Sequence, residues 1–336
     1  MLTDVMAHFG FTKSLRQVGY FATDHHQQLL KDLKAAIREG GLVAMTGVVG
    51  SGKTVLLWQL QDMLRREGEV EVAESLVFDV PRVNLSTLKL ALFYDLATDK
   101  DGDLPAKPEK SERALMKLIR RCDKPIALFV DDAHDLHGHT LRGLKQLIEK
   151  TRRRGGRLAV VLAGHPKLKN ELRRPALEEI GARATIFELE GIKGHQRRYL
   201  TWLLMQCHAQ GQPTDIMTDD ALELLAERLS TPLQIEHYLT LALEHAYRLG
   251  EPYVTPEIVA MTMAPDLHAL EPTLARYGYN VSTLAEVLHI RQAEARLFLQ
   301  GQLPPGRAEE LHTQLLRAGI PLSDTLAPVG SGLATA

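Results

Sequence analysis

One stretch, residues 41–58 (GLVAMTGVVGSGKTVLLW), limits what this chain can become more than any other. An apolar run, Leu42-Val43-Ala44-Met45, is short enough for a buried strand. It empties into Gly47-Val48-Val49-Gly50-Ser51-Gly52-Lys53-Thr54, which fits G-x-x-x-x-G-K-[ST]. A row of phosphates needs a concave line of backbone N–H groups with no Cβ in the way. Gly47, Gly50 and Gly52 allow that, and a helix starting near Lys53 adds the positive end of its dipole. In such a loop the Lys53 ammonium reaches the β- and γ-phosphates, Thr54 Oγ ligates Mg²⁺, and Val55 completes the binding segment. The plainer alternative is a glycine-rich turn with a fortuitous Lys-Thr. The strand before it and the helical VLLWQLQDMLRR after it argue for the phosphate reading.

Ahead of this loop, Thr23 is placed to cap a helix, DHHQQLLKDLKAAIREG, with Leu29, Leu30, Leu33 and Ile37 on one face. That helix can wall one side of an adenine pocket, and His25 and His26 at its start read as solvated polar residues. Behind the loop, a second strand is expected at 74–80 and a third at 125–130, the latter running into Asp131-Asp132-Ala133-His134. An apolar strand emptying into carboxylates suits magnesium. Asp131 can hold the ion's water shell and Asp132 can orient the attacking water. A fourth strand, 158–163, closes on His165-Pro166, where His165 either senses the γ-phosphate or fixes a turn. A fifth is expected at 185–189. Strands alternating with helices predict an α/β three-layer αβα sandwich with a parallel five-stranded sheet, its ligands at the carboxyl ends of the strands.

From residue 191 the pattern is helical. Stripes at Leu200, Leu203 and Leu204, at Leu222, Leu225 and Leu229, and at Leu239, Leu243 and Tyr247 read as the core of a small helical lid. After Pro265 a helix-turn-helix pattern follows, with a further helix near 307–318. Arg291, Gln292 and Arg296 are the residues that would read DNA from its second helix, but Glu294 beside them favours an adaptor for a protein partner. The expected domains are a lead-in segment at 1–40, a core at 41–190, a lid at 191–265, a small helical module at 266–322 and a disordered tail at 323–336.

The 336 residues carry a net charge of −2, so any nucleic-acid contact must come from local stripes rather than bulk charge. Cys122 and Cys207 are too few for a disulfide framework or a zinc cluster and suit a reducing cytosol. No apolar run reaches the ~18 residues of a membrane span, and the N-terminus lacks a signal-peptide layout. A soluble, cytoplasmic protein is expected.

The phosphate loop, the DDAH strand end, the Gly-His-Pro after the fourth strand and the helical lid together resemble the AAA+ ATPases. Their order and spacing, over about residues 5–265, are most similar to the ExeA and TniB/TnsC/MuB group, which includes regulators of DNA transposition. The resemblance implies that Lys53 and Thr54 are the Walker A pair and Asp131 the magnesium carboxylate. Asp132 stands where Glu is usual, one methylene short, which implies slow hydrolysis. Arg183 lies near the family's arginine finger, with Arg173 and Arg174 as rivals, and a finger supplied in trans implies rings or helical filaments. Ser230-Thr231-Pro232-Leu233 occupies the place of the G-x-P-R sensor and lacks its arginine. An ExeA-like secretion ATPase would go on to a membrane span and a cell-wall-binding module, which this sequence does not contain. A third reading is a scaffold that binds ATP without turnover.

DNA-handling relatives of the initiator type carry a pore-facing helix between the second and third strands. Here that region holds a helical stretch at 84–97 and a polar link, TDKDGDLPAKPEKSER, with Arg82, Lys89, Lys107, Lys110, Arg113 and Lys117. Phosphate contacts without sequence preference are expected from it. A second cluster, Arg152-Arg153-Arg154 with Arg157, lies away from the nucleotide and reads as a solvated run. The expected function is an ATP-dependent, self-assembling AAA+ ATPase on duplex DNA that marks a target and recruits or stimulates a transposase.

Overall fold

The chain opens with a short helix, α1 (Thr3–His8), and a longer one, α2 (Asp24–Glu39). The Thr23 side chain caps α2 by accepting from the His26 N–H. Strands and helices then alternate: β1 (Gly41–Thr46), α3 (Lys53–Glu67), β2 (Glu71–Glu74), α4 (Leu85–Leu96), α5 (Pro108–Arg121), β3 (Ile126–Val130), α6 (Gly138–Arg153), β4 (Leu158–Gly164), α7 (Pro166–Leu172), α8 (Glu178–Gly181) and β5 (Ala184–Glu188). This computed structural model describes residues 3–74, 83–99, 101–103, 105, 107–208, 212–263 and 270–320.

Among the described residues the five strands of the sheet pair in parallel, in the order β2-β3-β4-β1-β5. Alternate residues of β1 serve opposite faces. Leu42 and Ala44 pack with Leu88, Leu115 and Leu144 of α4, α5 and α6, while Val43 and Met45 pack with Leu33 of α2 and Leu60 of α3. With both faces covered, β1, β3 and β4 are apolar almost throughout, as a parallel sheet requires. This is the expected three-layer P-loop α/β fold. Thr46 is level with Gly164 and Glu188, and Val130 with Leu162, so the loops after β1, β3 and β4 open along one edge.

A helical group follows: α9 (Gln196–Cys207), α10 (Asp219–Arg228), α11 (Pro232–Leu249) and α12 (Pro256–Thr262). Its leucine stripes are buried. Tyr247 is instead partly exposed and meets the His8 ring edge-on. The first residues pack on this group, where the Thr12 N–H donates to Cys207 O. The chain divides into two units, Met1–Met263 and Ala264–Ala336. In the second, α13 (Leu270–Arg276), α14 (Val281–Leu288), α15 (Gln292–Leu299) and α16 (Pro305–Arg317) enclose a separate core of Leu274, Leu284, Phe298, Leu311 and Leu315.

Several expectations shift. The second strand lies at Glu71–Glu74, because Gly68 ends α3 in a left-handed conformation and Glu71 comes level with Ile126. Residues 75–80 of the expected strand, Arg82 and the tail from 323 lie outside the described residues. The last six residues of the polar link are helical, since Pro108 at the first helical position starts α5. His26 is buried, not solvated.

Candidate nucleotide-binding site

The loop after β1 is shaped by close approach. A Cβ at Gly47 would lie 2.7 Å from Ser51 Oγ and 2.8 Å from Leu189 O, so only glycine fits. Gly50, at φ 78°, takes a backbone conformation costly for other L-residues, and a Cβ there would meet Leu233 Cβ at 2.6 Å. Lys53 opens α3, and its Nζ donates to Gly47 O at 2.9 Å and Val48 O at 3.0 Å. Burial lowers the Lys53 pKa, while the Asp131 and Asp132 carboxylates pull it back up. Thr54 Oγ1 donates to Asp131 Oδ2 at 2.7 Å, and Asp131 Oδ1 accepts the Asp132 N–H at 2.9 Å. A hydroxyl and a carboxylate, both oxygen ligands and both beside a phosphate cradle, are the donor set that suits Mg²⁺.

Asp132 adopts φ 50°, which an aspartate tolerates better than most residues, and its carboxylate is exposed. Its Oδ1 stands 3.9 Å from His134 Nδ1. The His134 ring stacks on His165 with centroids 3.7 Å apart. His165 is the residue before α7, at the end of β4, so both aromatic rings and the acid gather at the edge where the strands end. His134 stood in the DDAH motif without a role. Nothing local in the sequence signals its partnership with His165, thirty-one positions on.

Beside the loop, a pocket is lined by Tyr20, His26, Ser51, Tyr199, Pro232 and Glu236 among others. The Tyr199 hydroxyl donates to Glu236 Oε1 at 2.8 Å. Burial first, then the Glu236 charge, raises the Tyr199 pKa, and burial raises that of Tyr20. An apolar slot with a carboxylate acceptor and a phenol is suited to a nucleobase. The start of α11 closes on the loop itself. The Leu233 N–H donates to Gly50 O at 3.4 Å, while Thr231 caps the helix by accepting from the Gln234 N–H. The arginine-free stretch at 230–233 thus touches the phosphate loop through backbone and an aliphatic side chain.

The arginine candidates sit apart from these groups. Arg183, just before β5, is largely exposed and pairs with Glu149 at 2.9 Å. Arg174 pairs with Glu171, and Arg173 ends α7. On α5, Lys110, Arg113 and Lys117 are exposed at spacings of three and four, one face of a helix, with Lys107 at its N-cap. Lys89 of α4 is partly covered and lies 4.0 Å from Glu112.

Residues 37–172 match the family model described as an AAA domain. Over 168 residues, 49% of its length, the chain is 28% identical to general secretion pathway protein A of Aeromonas hydrophila, and the match spans 30% of that protein. The fold is similar to that of Cdc6p from Pyrobaculum aerophilum (TM-score 0.54, 16% identity, 94% of this chain and 90% of that one). It is also similar to the ORC1 protein of Aeropyrum pernix, solved in complex with DNA (TM-score 0.50, 14% identity, 90% and 85%). Among the described residues, no helix is long and apolar enough to cross a membrane.

Proposed function

We propose that this chain, whose P-loop fold is established and whose residues 37–172 match a model described as an AAA domain, is a slow ATPase that assembles on duplex DNA, marks it as a target and recruits or stimulates a transposase. The observation that carries the ATPase is the Thr54–Asp131 contact at 2.7 Å beside the Lys53 ammonium. It joins the two halves of a phosphate-and-metal site from strand ends far apart in sequence. The loop N–H groups and Lys53 bind the phosphates, and the slot between Tyr20 and Glu236 takes the base. Thr54 and Asp131 would hold magnesium, which would supply positive charge against the phosphates. Asp132 orients the attacking water, and with its short side chain it does so from farther back than a glutamate. His165, braced by His134, reports on the same edge. Arg183 acts in a neighbouring subunit's site, released from Glu149.

For DNA, the support is the basic face of α5 and the DNA-bound state of the ORC1 relative in shape. A second reading, a secretion-associated ATPase, is favoured by the identity to general secretion pathway protein A. Retention of labelled duplex separates the two. The wild type is expected to retain far more random-sequence duplex with ATP than with ADP. Lys53→Ala, with an unchanged circular dichroism spectrum, should lose nucleotide binding and the increase in retention that ATP gives. ATP binding without any duplex retention would sink the DNA reading and leave the secretion one.

A further inference from the structure

The second unit contains a pair of helices that the proposed function does not use. Asn280 caps α14 by accepting from the Thr283 N–H at 2.9 Å. The helix ends at His289, whose φ of 53° places it in the left-handed region and turns the chain sharply. After Ile290 and Arg291, α15 begins at Gln292. A three-residue turn with a left-handed position is how two short helices are set at a steep angle. Ala285 and Ala295, both buried and both small, let them approach closely. Phe298 and Leu299 complete the inner face of α15.

The inner face dictates the outer one. With Ala295, Phe298 and Leu299 inward, Gln292, Arg296 and Gln300 recur every four residues on the side facing solvent, and all three are exposed. Ala293 and Leu297 lie beside them, also exposed. Arg291 stands at the N-cap. This set has the chemistry of a base reader. An arginine fork matches guanine O6 and N7, a glutamine matches adenine N6 and N7, and small or aliphatic groups meet the thymine methyl. Gln292 Nε2 also reaches Ser282 Oγ at 3.3 Å, tying the N-terminal ends of the two helices together.

Glu294 would repel a duplex if it pointed outward with them. It does not: its Oε1 accepts from Arg307 Nε at 2.8 Å, and the same guanidinium holds Glu310 at 2.6 Å. One arginine of α16, shared with Glu310, therefore draws toward itself the acid that the sequence set against DNA. Arginines and glutamates are equal in number between residues 270 and 320, so bulk charge draws no duplex here. The arrangement does, because Arg296 lies on the exposed side of α15 with Gln292 and Gln300, Arg291 stands at the helix start, and the only acid of α15 is bound elsewhere.

We infer that α14 and α15 form a sequence-reading site for duplex DNA, with α15 in the major groove and Arg296 and Gln292 on base edges. It is distinct from the sequence-independent, ATP-dependent contact proposed above, and it needs no nucleotide. The test uses the full chain without nucleotide and a pool of duplexes with randomised centres, the bound fraction being sequenced. One short motif is expected to emerge. Arg296→Ala should lower the preference at one base pair by about 5- to 150-fold. Arg296→Lys keeps the charge and should lose that preference nearly as fully, since an ammonium lacks the two-pronged match. The melting temperature should be unchanged, because the side chain is exposed. Absence of any motif overturns the proposal. So does a motif untouched by both Arg296 variants and by Gln292→Ala. Loss of binding to a protein partner in the Arg296 variants, with no motif, would make the face an adaptor and likewise overturn it.

Discussion

His26 shows how much a single side chain in this fold can be asked to do. It is buried in the lining of the pocket beside the phosphate loop, its Nδ1 accepts the Thr23 N–H at 3.5 Å, and the Tyr20 ring lies 5.8 Å away. Burial, aided by His25 and His195, holds its pKa below the usual value, against hydrogen bonds from backbone near Phe21 and Gly191. The unfolded chain, with a histidine near 6.5, therefore binds more protons as acid is added. The stabilising effect is fully present above pH 6.5 and is lost as pH falls through the lower, folded pKa. His26→Gln keeps an acceptor for the cap and removes the titration. Its melting temperature should fall less between pH 7 and pH 5 than that of the wild type, read by circular dichroism. Equal slopes would mean that His26 charges without cost.

At the scale of elements, α5 is the clearest test of the DNA contact. Its apolar side, Leu115, Leu118 and Ile119, is packed into the core, which leaves Lys110, Arg113 and Lys117 outward as a row. Replacing these three by glutamine should weaken duplex binding equally on all sequences. The slope of log affinity against log salt should fall by roughly 0.9 for each phosphate no longer neutralised. An unaltered slope removes α5 from the interface. The start of this helix was hidden in a stretch of charge and proline. Strands β1, β3 and β4 were legible because, buried on both faces, they are unbroken apolar runs between turns. The edge strand β2, Glu-Val-Ala-Glu, has only one fully buried residue and carries no such signal. The phosphate loop was legible because its residues are contiguous, whereas Tyr20, Tyr199 and Glu236 meet only after folding.

For the molecule as a whole, the question is whether one chain holds a complete site. Arg183 is tied to Glu149 and stands outside the group formed by Lys53, Thr54 and Asp131. A site shared between subunits predicts complementation. Subunits with Asp132→Asn and subunits with Arg183→Ala should each turn over poorly. An equal mixture should recover roughly a quarter of wild-type phosphate release, because that share of random neighbours pairs an intact Asp132 with an intact Arg183. Co-assembly without recovery would show that the finger is another residue. The base slot raises a different matter, that of timing. Its walls come from the lead-in segment at Tyr20, the loop at Ser51 and the lid at Tyr199 and Glu236. A ribosome has made more than two thirds of the chain before the last wall emerges. All five strands precede Glu236, so the sheet can take its parallel order on burial before this pocket is complete. On the proposed reading, nucleotide in this pocket stabilises only chains that have passed Glu236 with all three walls in place, a late check on the folding of the first unit.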